Sequence, residues 1–212
     1  ILFVQSAVLV FGAWAALRLP SAAPVTDPAP RTSVVHQIAS GFAVLFATPT
    51  IRAAFLLVAG MGVFFTGVMI VLVPLAIRDL YNGGAGDIAY GLIAFGLGML
   101  TTIMVLIRRG GISMPGRALS LALVAGSLVL LPIAWDTPQW VFNLCLYAWG
   151  LCGGVAMSMS RTILQENAPS SHRSRVMASF SLATTGGTPI GSLLMGLAIG
   201  ALGVRTAVLI PV

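Results

Sequence analysis

Ala53–Ile77 reads AAFLLVAGMGVFFTGVMIVLVPLAI, 25 residues without a charge, bounded by Arg52 and Arg78. About 20 apolar residues in a helix cross the hydrocarbon core of a bilayer, and this run exceeds that. Its residues are continuously apolar rather than alternating, and the run is far longer than a tilted barrel strand of about ten residues. It is therefore predicted to be a transmembrane helix.

The same rule applied outward finds four more complete runs: Ile88–Ile107, Ala118–Trp135, Trp140–Ser160 and Val176–Val204. Ile1–Leu17 reads as the end of a preceding span, and Thr206 onward as the opening of a last, truncated one. The basic n-region of a signal peptide is missing before Ile1–Leu17, so that reading is set aside. The chain is expected to be a piece of a longer polypeptide, with residues 1–17 ending one helix, 18–52 a linker, and 53–212 a helical bundle. The predicted fold class is all-α, a polytopic transmembrane bundle.

Composition agrees. Hydrophobic residues make up 58% of the 212-residue chain and charged residues 8%, with a mean hydropathy of +1.02. Soluble domains carry about 25% charged residues. A soluble surface cannot be covered with so few, so the apolar residues must face lipid or one another. The net charge of +6 does not indicate nucleic acid. Its cations are all Arg, placed in short gaps between apolar runs, and no soluble surface is left to carry a basic patch.

Those gaps alternate. Arg18, Arg31, Arg52, Arg108, Arg109, Arg117, Arg161, Arg173 and Arg175 fall on one side of the membrane, and only Arg78 and Arg205 on the other. The positive-inside rule makes the nine-Arg side cytoplasmic. One missed or false span would scramble this alternation. Within the 18–52 gap, Pro20–Pro30 is a proline-rich linker. Val34, Val35, Ile38, Phe42, Leu45 and Phe46 then recur at helical spacing, which reads as an amphipathic helix on the cytoplasmic surface or as an extension of the next span.

No ionisable residue lies at the centre of a complete span. A charge there costs about 2.5–3.5 kcal/mol on insertion scales and marks a coupling site where it occurs. Asp79, Asp87 and Asp136 read as loop charges at the outer edge. Two polar stripes stand out instead. Asn143, Tyr147, Gly150, Gly154, Ser158 and Arg161 share one helical face, and so do Ser181, Thr184, Thr185, Thr188 and Ser192. Polar atoms avoid lipid, so both faces should point inward, either to a substrate cavity or to interhelical hydrogen bonds. The cavity candidates are Phe65, Met69, Asn143, Tyr147, Ser158, Thr184, Thr185 and Thr188. Phe64, Phe95, Met99 and Trp149 also suit an apolar cavity or its packing.

Gly150-x-x-x-Gly154, Gly187-x-x-x-Gly191 and Gly196-x-x-x-Gly200 permit close helix approach. Pro189, after Gly186 and Gly187, predicts a kink. With Arg161 and Arg175 at inner helix ends, Gly187 and Pro189 are the gating candidates. Trp135 and Trp140 flank an outer loop, where tryptophan marks the membrane interface. Cys145 and Cys152 share one face of one span and read as small buried apolar residues. His36 and His172 have no nearby ligand set. No phosphate loop, metal cluster or nucleophile–base pairing is present, so neither enzyme activity, metal nor cofactor is expected.

Several stretches resemble the major facilitator superfamily. Ser40–Phe42 through Thr48-Pro49-Thr50-Ile51-Arg52 is similar to the entry into the seventh helix of drug- and siderophore-exporter branches. Pro74-Leu75, Arg78-Asp79-Leu80-Tyr81 and Tyr90-Gly91-Leu92 resemble the turn between the seventh and eighth helices. Gln165-Glu166-Asn167-Ala168-Pro169 through Arg173-Ser174-Arg175-Val176-Met177 resembles the loop between the tenth and eleventh, and Pro189-Ile190-Gly191-Ser192 to Gly196 the eleventh helix itself. The loop Arg108–Arg117 departs from the family's basic motif, having its arginines and glycines but no acidic partner. The resemblance implies the carboxyl-terminal six-helix half of a secondary transporter in a bacterial-type inner membrane. It implies proton-coupled export of amphipathic or hydrophobic small molecules, with the lipid bilayer, a small-molecule substrate and the missing amino-terminal half as partners. The alternative is a non-transporting anchor or sensor module of a larger protein. A channel lacks support, since no charge ring or filter-like segment is present.

Overall fold

A computed structural model describes Val10, Trp14, Arg18 and residues 49–168 and 173–210. The linker and amphipathic segment expected within 19–48 lie outside the described residues, as does His172. The chain divides into two units, Ile1–Ser33 and Val34–Val212. In the first, the Arg18 guanidinium lies 4.8 Å from the centroid of the Trp14 ring.

In the second unit the described residues are helical, with no strand among them. The first span is α1 (Pro49–Met61), a π-helical segment (Gly62–Gly67) and α2 (Val68–Tyr81). It is followed by α3 (Ala85–Arg109), then α4 (Pro115–Leu130) with a closing 3-10 turn (Leu131–Ala134). Next come α5 (Gln139–Asn167), α6 (Arg173–Leu202) and the short α7 (Val204–Ala207). Five of these stretches are long and apolar enough to cross a membrane: Ile51–Tyr81, Ala85–Arg109, Pro115–Ala134, Gln139–Asn167 and Val176–Leu202. They match the five runs read from sequence. Four are two to eight residues longer, because a helix does not stop where the hydrocarbon does, and the last ends two residues earlier, at Leu202. Arg161–Asn167 continues α5 as a polar helix end beyond its apolar run.

The ends are shaped by local chemistry. The Asp87 carboxylate accepts the Gly84 N–H (2.9 Å) at the start of α3, satisfying a free donor of the first turn. Gly110 and Gly111 take positive φ (71° and 100°) and turn the chain out of α3. Gly203 (φ 77°, ψ 163°), a conformation open only to glycine, separates α6 from α7.

Two close seams organise the bundle. Along α3–α5, a Cβ on Gly98 would run into the Tyr147 carbonyl oxygen, and one on Gly150 into the Phe95 carbonyl oxygen; a Cβ on Gly154 would lie 2.8 Å from Thr102 Cβ. Along the first span and α6, a Cβ on Gly191 would strike the Val63 carbonyl oxygen. Cβ atoms on Gly62 and Gly67 would lie 2.6 Å from the Ala183 carbonyl oxygen and Gly191 Cα. Small residues let these backbones touch, which is how helices associate when lipid supplies no hydrophobic drive. Of the three spaced glycine pairs, Gly150/Gly154 and Gly187/Gly191 pack in this way, whereas Gly196 and Gly200 meet nothing within 4 Å.

Two apolar clusters fill the bundle. One holds Val68, Leu72, Phe95, Phe142, Trp149 and Met195, the other Ile51, Val58, Leu119, Met159, Leu164 and Phe180. Phe65 packs against both.

Candidate functional site

Phe65, in the π-helical segment, sits in an aromatic group, 4.5 Å from Trp149 and 5.8 Å from Phe95 between ring centroids. Trp149 and Phe95 meet edge-on at 5.6 Å, an arrangement favoured by the ring quadrupoles. Gly153 makes room for the Phe65 ring, since a Cβ there would overlap its Cζ. Phe65 thus joins the first span to α5 near mid-membrane. Met69, one turn later, packs on the apolar cluster that holds Phe95 and Trp149. Phe64 is exposed.

The π-helical turn carrying Phe65 is held across its seam. Ser192 Oγ donates to the Gly67 carbonyl at 3.2 Å, so a carbonyl at the edge of the widened turn has a partner from α6. π-turns recur at functional sites in helical proteins. Nothing in the sequence marked it apart from Gly62 and Gly67 at its ends. α6 continues helically past Pro189, which is exposed, while Gly187 is buried against Gly62, its would-be Cβ 3.0 Å from the Gly62 carbonyl carbon.

The α5 stripe lies along the α3–α5 seam. Tyr147 Oη donates to Thr101 Oγ1 (3.2 Å) at an exposed position. Thr102, buried, donates to the Leu151 carbonyl (2.9 Å) and ties α3 to α5. Asn143 Oδ1 is buried and has no hydrogen-bond partner among the described residues, lying 3.7 Å from where a Cβ on Gly91 would stand. An unmatched buried amide oxygen is costly, and in a native fold it calls for a water, ion or ligand donor. Ser158 is half-buried further along α5. The Arg161 guanidinium lies 5.6 Å from the Phe180 ring centroid of α6, a cation–π distance. Thr101 and Thr102 escaped the sequence reading. Their signal is a hydroxyl pair inside an otherwise apolar run.

The α6 stripe behaves differently. Thr184 Oγ1 donates to the Phe180 carbonyl (3.1 Å), Thr188 Oγ1 to the Thr184 carbonyl (3.0 Å) and Ser181 Oγ to the Met177 carbonyl (3.2 Å), all within the helix. Thr185 is exposed and makes no hydrogen bond among the described residues. No hydrogen bond joins the two stripes among the described residues. The Arg175 side chain lies outside what is described.

Among the outer charges, Asp87 is more than a loop carboxylate. It caps α3 and also accepts Gln139 Nε2 (3.1 Å) from the start of α5. Asp136 pairs with Arg205, and Asp79 with its neighbour Arg78 at 2.6 Å. Tyr81 and Thr137 hydroxyls lie 3.3 Å apart. Trp135 and Trp140 are both exposed at this end, as interfacial tryptophans are. Cys145 is buried and Cys152 half-buried, both as free thiols. The described residues hold no group of three or more His, Cys, Asp or Glu placed to bind a metal.

No curated protein and no solved structure matches the chain significantly. Residues 1–192 match the family model described as Major Facilitator Superfamily. That match spans most of the chain and accords with its all-helical, multi-pass membrane bundle, so the chain belongs to the Major Facilitator Superfamily, whose members are membrane transporters rather than enzymes.

Proposed function

We propose that the chain forms the carboxyl-terminal half of a proton-coupled exporter in a bacterial-type inner membrane. It moves amphipathic or hydrophobic small molecules by alternating access. The observation that carries this reading is the open face of α6, which is polar at Ser181, Thr185 and Gly186 and apolar from Ile190 through Leu193 to Leu197. Val176–Leu202 has the lowest mean hydropathy of the five spans (1.3), yet only 17% of its most apolar window is buried. A face bearing Ser181, Thr185 and Gly186 is poorly suited to lipid and needs water or another protein surface beside it. In this reading the amino-terminal half of the same polypeptide covers that face, and the path for substrate runs between the halves.

Phe65, Met69, Asn143, Tyr147, Ser158, Thr184, Thr185 and Thr188 then line or support the path. Gly187, Pro189, Arg161 and Arg175 act where α6 moves against its neighbours. The uncharged character of these faces favours neutral or amphipathic cargo, since a dicarboxylate or sugar phosphate would call for an embedded cation. The proton-carrying acid lies outside the described spans, whose middles hold no carboxylate.

The test is cysteine accessibility in membranes, with Cys145 and Cys152 replaced by Ala. Cysteines at Asn143 and Thr185 are expected to react with a small aqueous thiol reagent and to be protected by transported substrate. Unreactive cysteines at both positions would favour the anchor or sensor reading. Failure of the full polypeptide in liposomes to move any candidate under an imposed pH gradient would remove proton-coupled export.

A further inference from the structure

The Arg-rich end of the bundle carries a cleft that the transport path does not use. It lies between α1, α4 and α5, with a volume of about 420 Å³. Gly116 and Asn167 line it at the helix ends. Leu57, Leu119, Ser120 and Ile163 line it one turn further into the membrane. A second hollow of about 380 Å³ shares Gly116 and Ser120 and reaches Arg117 and Leu121. The two small shared residues therefore connect an apolar slot to a guanidinium.

Arg117 is not alone at this surface. Arg108 and Arg109 end α3, and the positive-φ pair Gly110 and Gly111 turns the loop that brings the chain back to α4. All three arginines are exposed and none forms an ion pair with a described residue. Of the four carboxylates among the described residues, Asp79, Asp87 and Asp136 lie at the opposite end of the bundle. Glu166, exposed near the end of α5, makes no ion pair. One turn inside Arg117 stands Leu121, and beside Arg108 stands Ile107, each at 69% exposure. Cations at the interface, with bare aliphatic groups one turn deeper, reproduce the order of a lipid leaflet from headgroup to acyl chain. A soluble anion would use the arginines and leave both the slot and these side chains without a partner.

We infer that this cleft binds an anionic phospholipid. Its phosphate is held at Arg117 with Arg108 and Arg109 nearby, and one acyl chain enters along Leu57, Leu119 and Ile163. The site does not depend on the transport reading, because its lining includes none of the residues placed on the substrate path.

The experiment uses the purified chain in mixed micelles with a phosphatidylglycerol that carries a diazirine in its acyl chain, and adducts are mapped by peptide mass spectrometry. Adducts should concentrate on the α1, α4 and α5 segments lining the cleft and be competed by unlabelled phosphatidylglycerol. Arg117→Gln should cut them about fivefold, the worth of one cation near an anionic surface, while Arg117→Lys retains them. Ser120→Phe should cut them by blocking the cleft without changing any charge, which keeps the test decisive if Arg117→Gln fails to fold. Equal labelling by a phosphatidylcholine analogue would overturn the site. So would adducts spread evenly over all five spans, or labelling unchanged by Arg117→Gln or by Ser120→Phe.

Discussion

α5 and α6 are the two least apolar spans of the bundle, with mean hydropathies of 1.4 and 1.3. They are also its extremes of burial: 44% of the most apolar window of α5 is buried, against 17% for α6. The contrast shows that polarity and small size serve two purposes in a membrane helix. In α5, Gly150, Gly153 and Gly154 let α3 and Phe65 come close, and the Leu151 carbonyl receives Thr102. α6 packs one glycine face on the first span, where Ser192 donates to the Gly67 carbonyl, while Ser181, Thr184 and Thr188 bond to their own backbone and Thr185 stands open.

The largest effect should come from Gly150→Leu, which would place a branched side chain on the Phe95 carbonyl and force α3 away from α5. Overpacking of this kind costs about 3 kcal/mol or more, and the variant should yield no monodisperse protein by size exclusion. A normally folded Gly150→Leu would break the close α3–α5 seam. Next is Trp149→Ala, which empties the centre of the Phe65–Phe95 group and should cost about 3–5 kcal/mol. Its counterpart on the open face of α6, Leu197→Ala, should cost no more than about 0.5 kcal/mol. Denaturant or thermal unfolding in detergent compares the two, and equal losses would mean α6 is as enclosed as α5.

Within α6 alone, Gly191→Ala meets the Val63 backbone and should cost about 1–3 kcal/mol. Gly196→Ala meets open space and should be neutral or slightly stabilising through helix propensity. Similar melting temperatures for these two variants would contradict the two-faced description of the helix. A comparably small effect belongs to the exposed Asp136–Arg205 pair at the outer end. Exposed ion pairs contribute about 0–1 kcal/mol and are screened by salt, so Asp136→Asn should shift the melting point by no more than about 2 °C. A larger shift would mean the α6–α7 corner is stapled to the 3-10 turn more firmly than an exposed pair allows.

Much of the bundle was legible beforehand. The five apolar runs located the spans. The glycine pairs at 150/154 and 187/191 located the seams. Gly196/Gly200 has the same spacing and packs on nothing, because spacing shows that approach is possible and says nothing of whether a partner stands there. The candidate site was half legible. Asn143 and Tyr147 were on the polar stripe, but Thr101 lay in another span, and only the fold brings it to Tyr147. Asp87 looked like any outer-loop carboxylate until Gly84 and Gln139 were placed around it.

What the amino-acid sequence determined by itself is that this chain is a membrane-spanning all-helical protein with five complete spans. In lipid each backbone group must be satisfied within its own segment, so apolar length alone forces helices. What only the tertiary structure decided is which polar and small residues are spent on packing and which remain open: the π-helical turn facing Gly191, the orphaned Asn143 oxygen, and the contrast between α5 and α6. These depend on neighbours tens of residues away along the chain, and a helical face carries no record of what will stand against it.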